Sequence, residues 1–192
     1  MAPAGRRHDT ATRRNLLNPE DALVKHHDMA HGGSRRDRRI AEHVHDPYKT
    51  RFKLPEPTVC PECTAAFEGG RWHWPAYPPT EANSQLCQAC HRIRDNYPAG
   101  WVTLSGDFVK GHKQEITQLA RHNEQLENSE HPLHRIMALE EQDDGLVITT
   151  TDIHLPRRIG EALKHAYHGE LEFHYEEEAY RLRVHWQRDG EA

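Results

Sequence analysis

Cys60-Pro61-Glu62-Cys63 and, further on, Cys87-Gln88-Ala89-Cys90 hold all four cysteines of the 192-residue chain. Two residues between the members of a pair let both thiolates of one tight turn point at a single ion. Two such turns supply the four soft ligands that close a tetrahedral zinc site. The spacing predicts a ribbon held by one structural Zn2+, with Cys60, Cys63, Cys87 and Cys90 as ligands. The 23 residues from Thr64 to Leu86 exceed the usual ribbon spacing of about 15–20, so an enlarged loop is expected between the knuckles. A disulfide pair or four unrelated buried thiols are the plainer alternatives.

Other cysteine chemistries fit less of the pattern. Cys87-Gln88-Ala89-Cys90-His91 matches the string that attaches a c-type haem, but that leaves Cys60 and Cys63 without a role and needs an oxidising compartment. Neither pair sits in the βαβ setting of a redox dithiol. A catalytic zinc keeps an open position, and four cysteines close the shell. The deaminase signature fails because no His-x-Glu precedes a Pro-Cys-x-x-Cys.

Mean hydropathy is −0.95 and hydrophobic residues make up 35% of the chain, so the core is expected to be modest and part of the chain unpacked. No apolar stretch approaches a membrane span and the N-terminus lacks the apolar centre of a secretory signal. With cysteines at metal spacing, the expectation is the reducing cytoplasm, with no membrane partner. The net charge of −5 hides an asymmetry. Residues 1–53 carry 12 Lys and Arg against 7 Asp and Glu, whereas residues 107–192 carry 10 against 18. A basic arm on an acidic body suits a polyanionic partner, and also suits an ordinary solvated tail.

Four segments follow, and together they make an α+β chain. Residues 1–53 lack a sustained apolar period and read as a basic, largely disordered arm with a short helix around Pro19–His27. Six histidines are scattered through this arm, so a second metal there stays open. Residues 54–106 form the zinc ribbon. Residues 107–128 read as a linking amphipathic helix, with Phe108, Ile116, Leu119 and Leu126 on one face. Residues 132–188 read as a ββαββ unit. Its strands lie at His134–Glu141 and Leu146–Thr151, joined at Asp143-Asp144-Gly145. A helix carries Leu155, Ile159, Ala162, Leu163 and Ala166 on one side, with Asp152 or His154 as cap. Alternation at Leu171, Phe173 and Tyr175, then at Tyr180, Leu182, Val184 and Trp186, marks two more strands.

Three stretches carry binding chemistry. The enlarged loop contains Arg71-Trp72-His73-Trp74, cations and imidazole interleaved with indoles, which suits stacking on unpaired RNA bases; the tryptophans suit the ribbon core equally. His91, Arg92 and Arg94 form a basic cluster after the second knuckle. Arg157 and Arg158 sit in the first turn of the C-terminal helix, where free N–H groups favour an anion. A capped helix with two solvated arginines is the alternative there.

The knuckles, the Cys-x-x-Cys-x-Arg run from Cys87 to Arg92, the helix after them and the C-terminal αβ unit resemble the N-terminal region of the large-ribosomal-subunit export adaptors, the Nmd-three-like proteins. The Thr149–Leu163 block is similar to that of small bacterial proteins of the same family. The resemblance covers about residues 56–188. It implies Cys60, Cys63, Cys87 and Cys90 as zinc ligands and a ribbon that faces RNA or the ribosome, the large subunit above all. This chain has one set of four cysteines where the archaeal and eukaryotic adaptors have more, and Thr64 follows Cys63 where a glycine often stands.

The expected function is therefore a non-catalytic zinc protein that binds RNA or the ribosome, with no small-molecule substrate. A protein-interaction adaptor using the acidic C-terminal unit, with Glu176-Glu177-Glu178, is the alternative. A zinc-braced nuclease of the His-Asn-His kind would need a catalytic histidine and a second metal-binding group between the knuckles, and His73 stands there without one.

Overall fold

Trp101-Val102-Thr103-Leu104 alternates large side chains between two directions, and this short strand lies at the centre of the molecule. A computed structural model describes residues 46–50, 52–142, 145–176 and 179–190, all within the compact unit Ile40–Ala192. Most of the basic arm, its six histidines and the helix expected at Pro19–His27 lie outside the described residues, as do Asp143, Asp144, Glu177 and Glu178.

The described chain is mixed α and β, with two sheets and three helices. The first, small sheet is built from β1 (Thr58–Val59), β2 (Ala66–Glu68), β3 (Arg71–His73) and β4 (Asn83–Ser84), in the order β3-β2-β1-β4. Helix α1 (Gln88–Asp95) follows at once. Strand β5 (Gly100–Ser105) and the long helix α2 (Asp107–Glu130) come next. Then come β6 (Ile136–Gln142), β7 (Gly145–Thr150), α3 (His154–Tyr167), β8 (Glu170–Glu176) and β9 (Arg181–Gln187).

The C-terminal elements keep the ββαββ order, and both strand pairs are antiparallel neighbours. They do not form the sheet alone. Its order is β6-β7-β5-β9-β8, so the strand that the sequence reading left inside the ribbon segment 54–106 fills the middle. It runs antiparallel to β7, with Val102 opposite Ile148, and parallel to β9, with Val102 opposite Val184. Without it, the hydrogen-bonding edges of β7 and β9 would have no partner in the sheet.

Helices α2 and α3 pack together against one face of this sheet. Val102, Leu104, Ile148, Leu182, Val184 and Trp186 meet Phe108, Ile116, Leu155, Ile159 and Leu163 in one continuous core. Helix α2 thus supplies part of this core. Its buried stripe is Phe108, Val109, Ile116 and Ala120, whereas Leu126 is exposed. The last turns of α2 instead meet the enlarged loop between the knuckles, where Trp74 Nε1 donates to the Asn128 carbonyl at 2.6 Å. The other sheet face presents Trp101, Thr103, Arg183, His174 and His185. The Arg183 guanidinium lies 4.5 Å from the Trp101 ring centre, and its Nε donates to Glu176 at 2.6 Å.

Near its C-terminus α2 is tied to both neighbours by one carboxylate. Glu127 Oε2 meets His134 Nδ1 at 3.0 Å, and Glu127 Oε1 pairs with Arg158 of α3. Burial alone would raise the Glu127 pKa; the His134 hydrogen bond and the nearby positive charges outweigh it and hold the group below the usual carboxylate range. A carboxylate depressed on folding contributes stability above its unfolded pKa, near ~4.3. That contribution is lost as pH falls through the folded value. Glu127→Gln is expected to cost about 1–2 kcal/mol at neutral pH and to leave stability at pH 3 nearly unchanged. Urea unfolding of both proteins across this pH range checks it.

Candidate metal centre

The first knuckle is closed by backbone hydrogen bonds. Thr64 N–H donates to Cys60 O, and Cys60 N–H donates to Ala65 O, both at 2.9 Å. The chain reverses at Thr64, whose φ is 63°. That left-handed conformation is unfavourable for a β-branched residue and explains why glycine suits the position. The Thr64 hydroxyl compensates in part by donating to the Cys63 carbonyl at 2.6 Å. The second knuckle is the start of α1. Cys87 is the N-cap, its Sγ accepting from Cys90 N–H at 3.5 Å. Cys60 Sγ accepts from Cys87 N–H at 3.4 Å. The amides of the second knuckle are thus spent on the sulfurs, whereas those of the first close its backbone turn.

The four sulfurs lie within 4.8 Å of one another. Cys63 and Cys87 Sγ are 3.7 Å apart, and the edge of a tetrahedron with metal–sulfur bonds of ~2.3 Å is about 3.8 Å. Cys60 and Cys87 are fully buried, Cys90 is nearly so, and Cys63 faces partly outward. All four cysteines are free of disulfides. The donor set fits one soft, tetrahedral metal ion, and among the described residues it is the one group of three or more His, Cys, Asp or Glu that does so.

Charge around the sulfurs points the same way. The Cys63 thiol is held down at about 4, chiefly by its hydrogen bond with Cys87. The same hydrogen bond, with burial, pushes Cys87 up. Burial pushes Cys90 up to about 12. Burying several thiolates side by side is costly unless cations neutralise them. One cation is built in. Arg135, just before β6, points Nη1 at Cys90 Sγ (3.5 Å) and Nη2 at Cys87 Sγ (3.8 Å). Burial works against its charge, but the sulfurs outweigh that and raise its pKa. A tetrathiolate around a divalent ion carries two negative charges, and Arg135 offsets one.

The structure distributes the other sequence-predicted residues unevenly. Arg71 is exposed. Trp72 is buried in the ribbon core, 5.6 Å from the Phe67 ring centre. His73 is half-buried and faces Glu68 at 3.6 Å. Trp74 is 37% exposed, with the Arg135 guanidinium 5.9 Å from its ring centre. His91 is half-buried beside Tyr48.

Arg92 corrects the reading of an exposed basic cluster. It is 1% exposed and pairs with Asp46 at 2.6 Å. It also donates to Tyr97 O and lies over the Tyr48 ring. Its stem enters the core because position 92 falls on the inner face of α1. Arg94 is exposed and pairs with Glu62.

Arg157 pairs with Glu161 at 2.9 Å, and Arg158 with Glu127. The anion site expected at the start of α3 is filled from within. Asp152 Oδ2 accepts from the N–H groups of His154 and Leu155 at 2.6 and 2.9 Å, standing where a phosphate would stand.

Sequence reasoning missed Arg135, which lies 45 residues from Cys90 and has no motif to mark it. It also missed a groove of about 570 Å3 beside the ribbon. The groove is lined by Phe52, Lys53, Phe67, Arg71, Trp72 and His131 among others, with no carboxylate among the described residues that line it. No protein-family model, curated protein or solved structure matches the chain. No helix among the described residues is long and apolar enough to cross a membrane.

Replacing any of the four cysteines is expected to remove the bound metal, because three thiolates leave an open shell and structural zinc supplies folding free energy directly. Cys87→Ser should yield less than a tenth of an equivalent of metal by elemental analysis and lose the ribbon's thermal transition. Arg135→Met should keep the metal but weaken it by about 10–100-fold. Competition with a chromophoric chelator measures that loss.

Proposed function

We propose that the chain is a non-catalytic zinc-ribbon protein that binds single-stranded or loop RNA, on the ribosome and its large subunit above all. The ion is Zn2+, held by Cys60, Cys63, Cys87 and Cys90. Four thiolates leave no open position, so its work is to hold the ribbon. The observation that carries the RNA reading is the groove beside the metal knuckles. Arg71 and Lys53, the latter also 3.3 Å from Glu56, offer charge to phosphates, and Phe52, 85% exposed, offers a face on which a base can stack. Among the described residues that line the groove there is no carboxylate to repel a polyanion. Within the predicted basic set Arg71 is exposed, while Arg92, Arg94, Arg157 and Arg158 are engaged with carboxylates. The resemblance of the knuckles to the ribosomal-subunit export adaptors supports the same target. Free thiolates at a knuckle fit the reducing cytoplasm.

A protein-interaction adaptor is the second reading, supported by the sheet face that carries Glu172 and Glu140 beside Trp101. Fluorescence anisotropy with labelled single-stranded RNA separates the two. Affinity should fall steeply with salt, and Lys53→Ala with Arg71→Ala should lower the logarithmic salt slope by about 1.4, near 0.7 per lost phosphate contact. RNA affinity that ignores both salt and the double variant would discard the RNA reading in favour of the adaptor.

A further inference from the structure

Beside the groove at the ribbon lies a second, smaller cavity of about 320 Å3, set against the start of α1. Lys49, Thr50, Leu54, Trp72 and Gln88 line both spaces, so the two adjoin. A strand lying in the groove has this cavity at its side. The volume is that of a site for a small organic group. Leu54, Leu86 and Trp72 give it apolar walls, and no carboxylate is among the described residues that line it.

Two side-chain amides are held here by the second knuckle. Gln85 follows β4 and donates its backbone N–H to Val59 O at 3.2 Å. Gln88 opens α1, directly after the cap Cys87. Both residues line the cavity and both are half-buried. Neither side-chain amide hydrogen-bonds another described residue. By contrast Asn83, two residues before Gln85, donates its own amide to Pro57 O at 3.1 Å. A half-buried amide is left unsatisfied unless water or a ligand meets it. Each amide presents one donor and one acceptor side by side. That pattern matches the N6 and N7 edge of adenine; guanine shows two acceptors there, and cytosine and uracil one polar group each. Lys49 could serve the acceptors of guanine, but it also lines the groove, where phosphates of a bound strand would lie.

We infer that this cavity takes one unpaired adenine of a bound RNA, read on its edge by the amides of Gln85 and Gln88. The inference rests on the RNA reading of the groove and goes beyond it. Stacking on Phe52 and charge from Lys53 and Arg71 accept any base. The amides add a selectivity that those contacts lack, at one position of the strand. The metal contributes by fixing the turn that carries both glutamines.

The test uses the zinc-loaded full chain and short labelled oligouridylates that differ only in one central base, with anisotropy read at fixed salt. The oligomer with a central adenine should bind about tenfold tighter than those with uracil, cytosine or guanine, the order of discrimination one good bidentate pair supplies. Gln85→Met and Gln88→Met keep the side-chain length and lose the amide. Each should shrink that preference to about threefold or less, with zinc content showing that the knuckle is intact. Equal, salt-sensitive binding of all four oligomers by the wild type would overturn this inference and leave the RNA reading standing. A preference for guanine would give the pocket to Lys49, and an adenine preference that survives both variants would put the reader elsewhere; either result sinks the assignment. Failure of every oligomer to bind would remove the RNA reading and this inference together.

Discussion

Four clustered sulfurs beside a single guanidinium are the constraint on which the rest of the structure turns. The ribbon has little else to hold it. Its apolar interior is Leu54, Ala65, Trp72 and Ala89 around the cysteines, far too little burial to fix four strands of two or three residues each. Local backbone order converges on the sulfurs: the turn at Thr64, the cap at Cys87 and the amides of Cys87 and Cys90 all orient thiols toward one point. Charge balance then reaches beyond the ribbon. Arg135 belongs by sequence to the large sheet, and its position makes the sulfur cluster part of that sheet's boundary.

The seam so formed is more polar than the core on either side of it. Arg92 and Asp46 close one part of it, and Glu127, His134 and Arg158 close another. The buried Arg92–Asp46 pair adds little net stability, because desolvation offsets attraction. These contacts fix geometry instead: Arg92 meets both Asp46 and the Tyr97 carbonyl, and Glu127 meets both His134 and Arg158. The small ribbon and the sheet are thereby held in register, with Trp74 reaching across to α2 as a further contact.

The parts of this arrangement that rest on short-range pattern were legible in the sequence. The cysteine spacing gathers the four thiols, the Asp143-Asp144-Gly145 turn signal marks the β6–β7 hairpin, and alternation marks β8 and β9. The 3.6-residue period marks α3, with Asp152 feeding its first amides. What escaped depends on contacts distant in sequence. Gly100–Ser105 alternates like a strand but follows the second knuckle so closely that it reads as part of the ribbon; only its pairing with β7 and β9 shows its place. Arg92 reads as one more surface cation until Asp46 is brought beside it. Arg157 and Arg158 suggest an anion, yet the carboxylate that occupies that end of α3 is Asp152, a residue the sequence reading already named as a cap.

The central position of β5 also sets an order of events during synthesis. Gly100 pairs with Leu182, so the sheet's middle strand waits for most of the remaining chain before its parallel neighbour exists. The four cysteines are all present by residue 90. At a translation rate of about 5–20 residues per second, both knuckles are complete several seconds before the sheet can close. The ribbon is thus able to mature as a separate local event, and the slow, non-local pairing of β5 with β9 is the step that completes the fold.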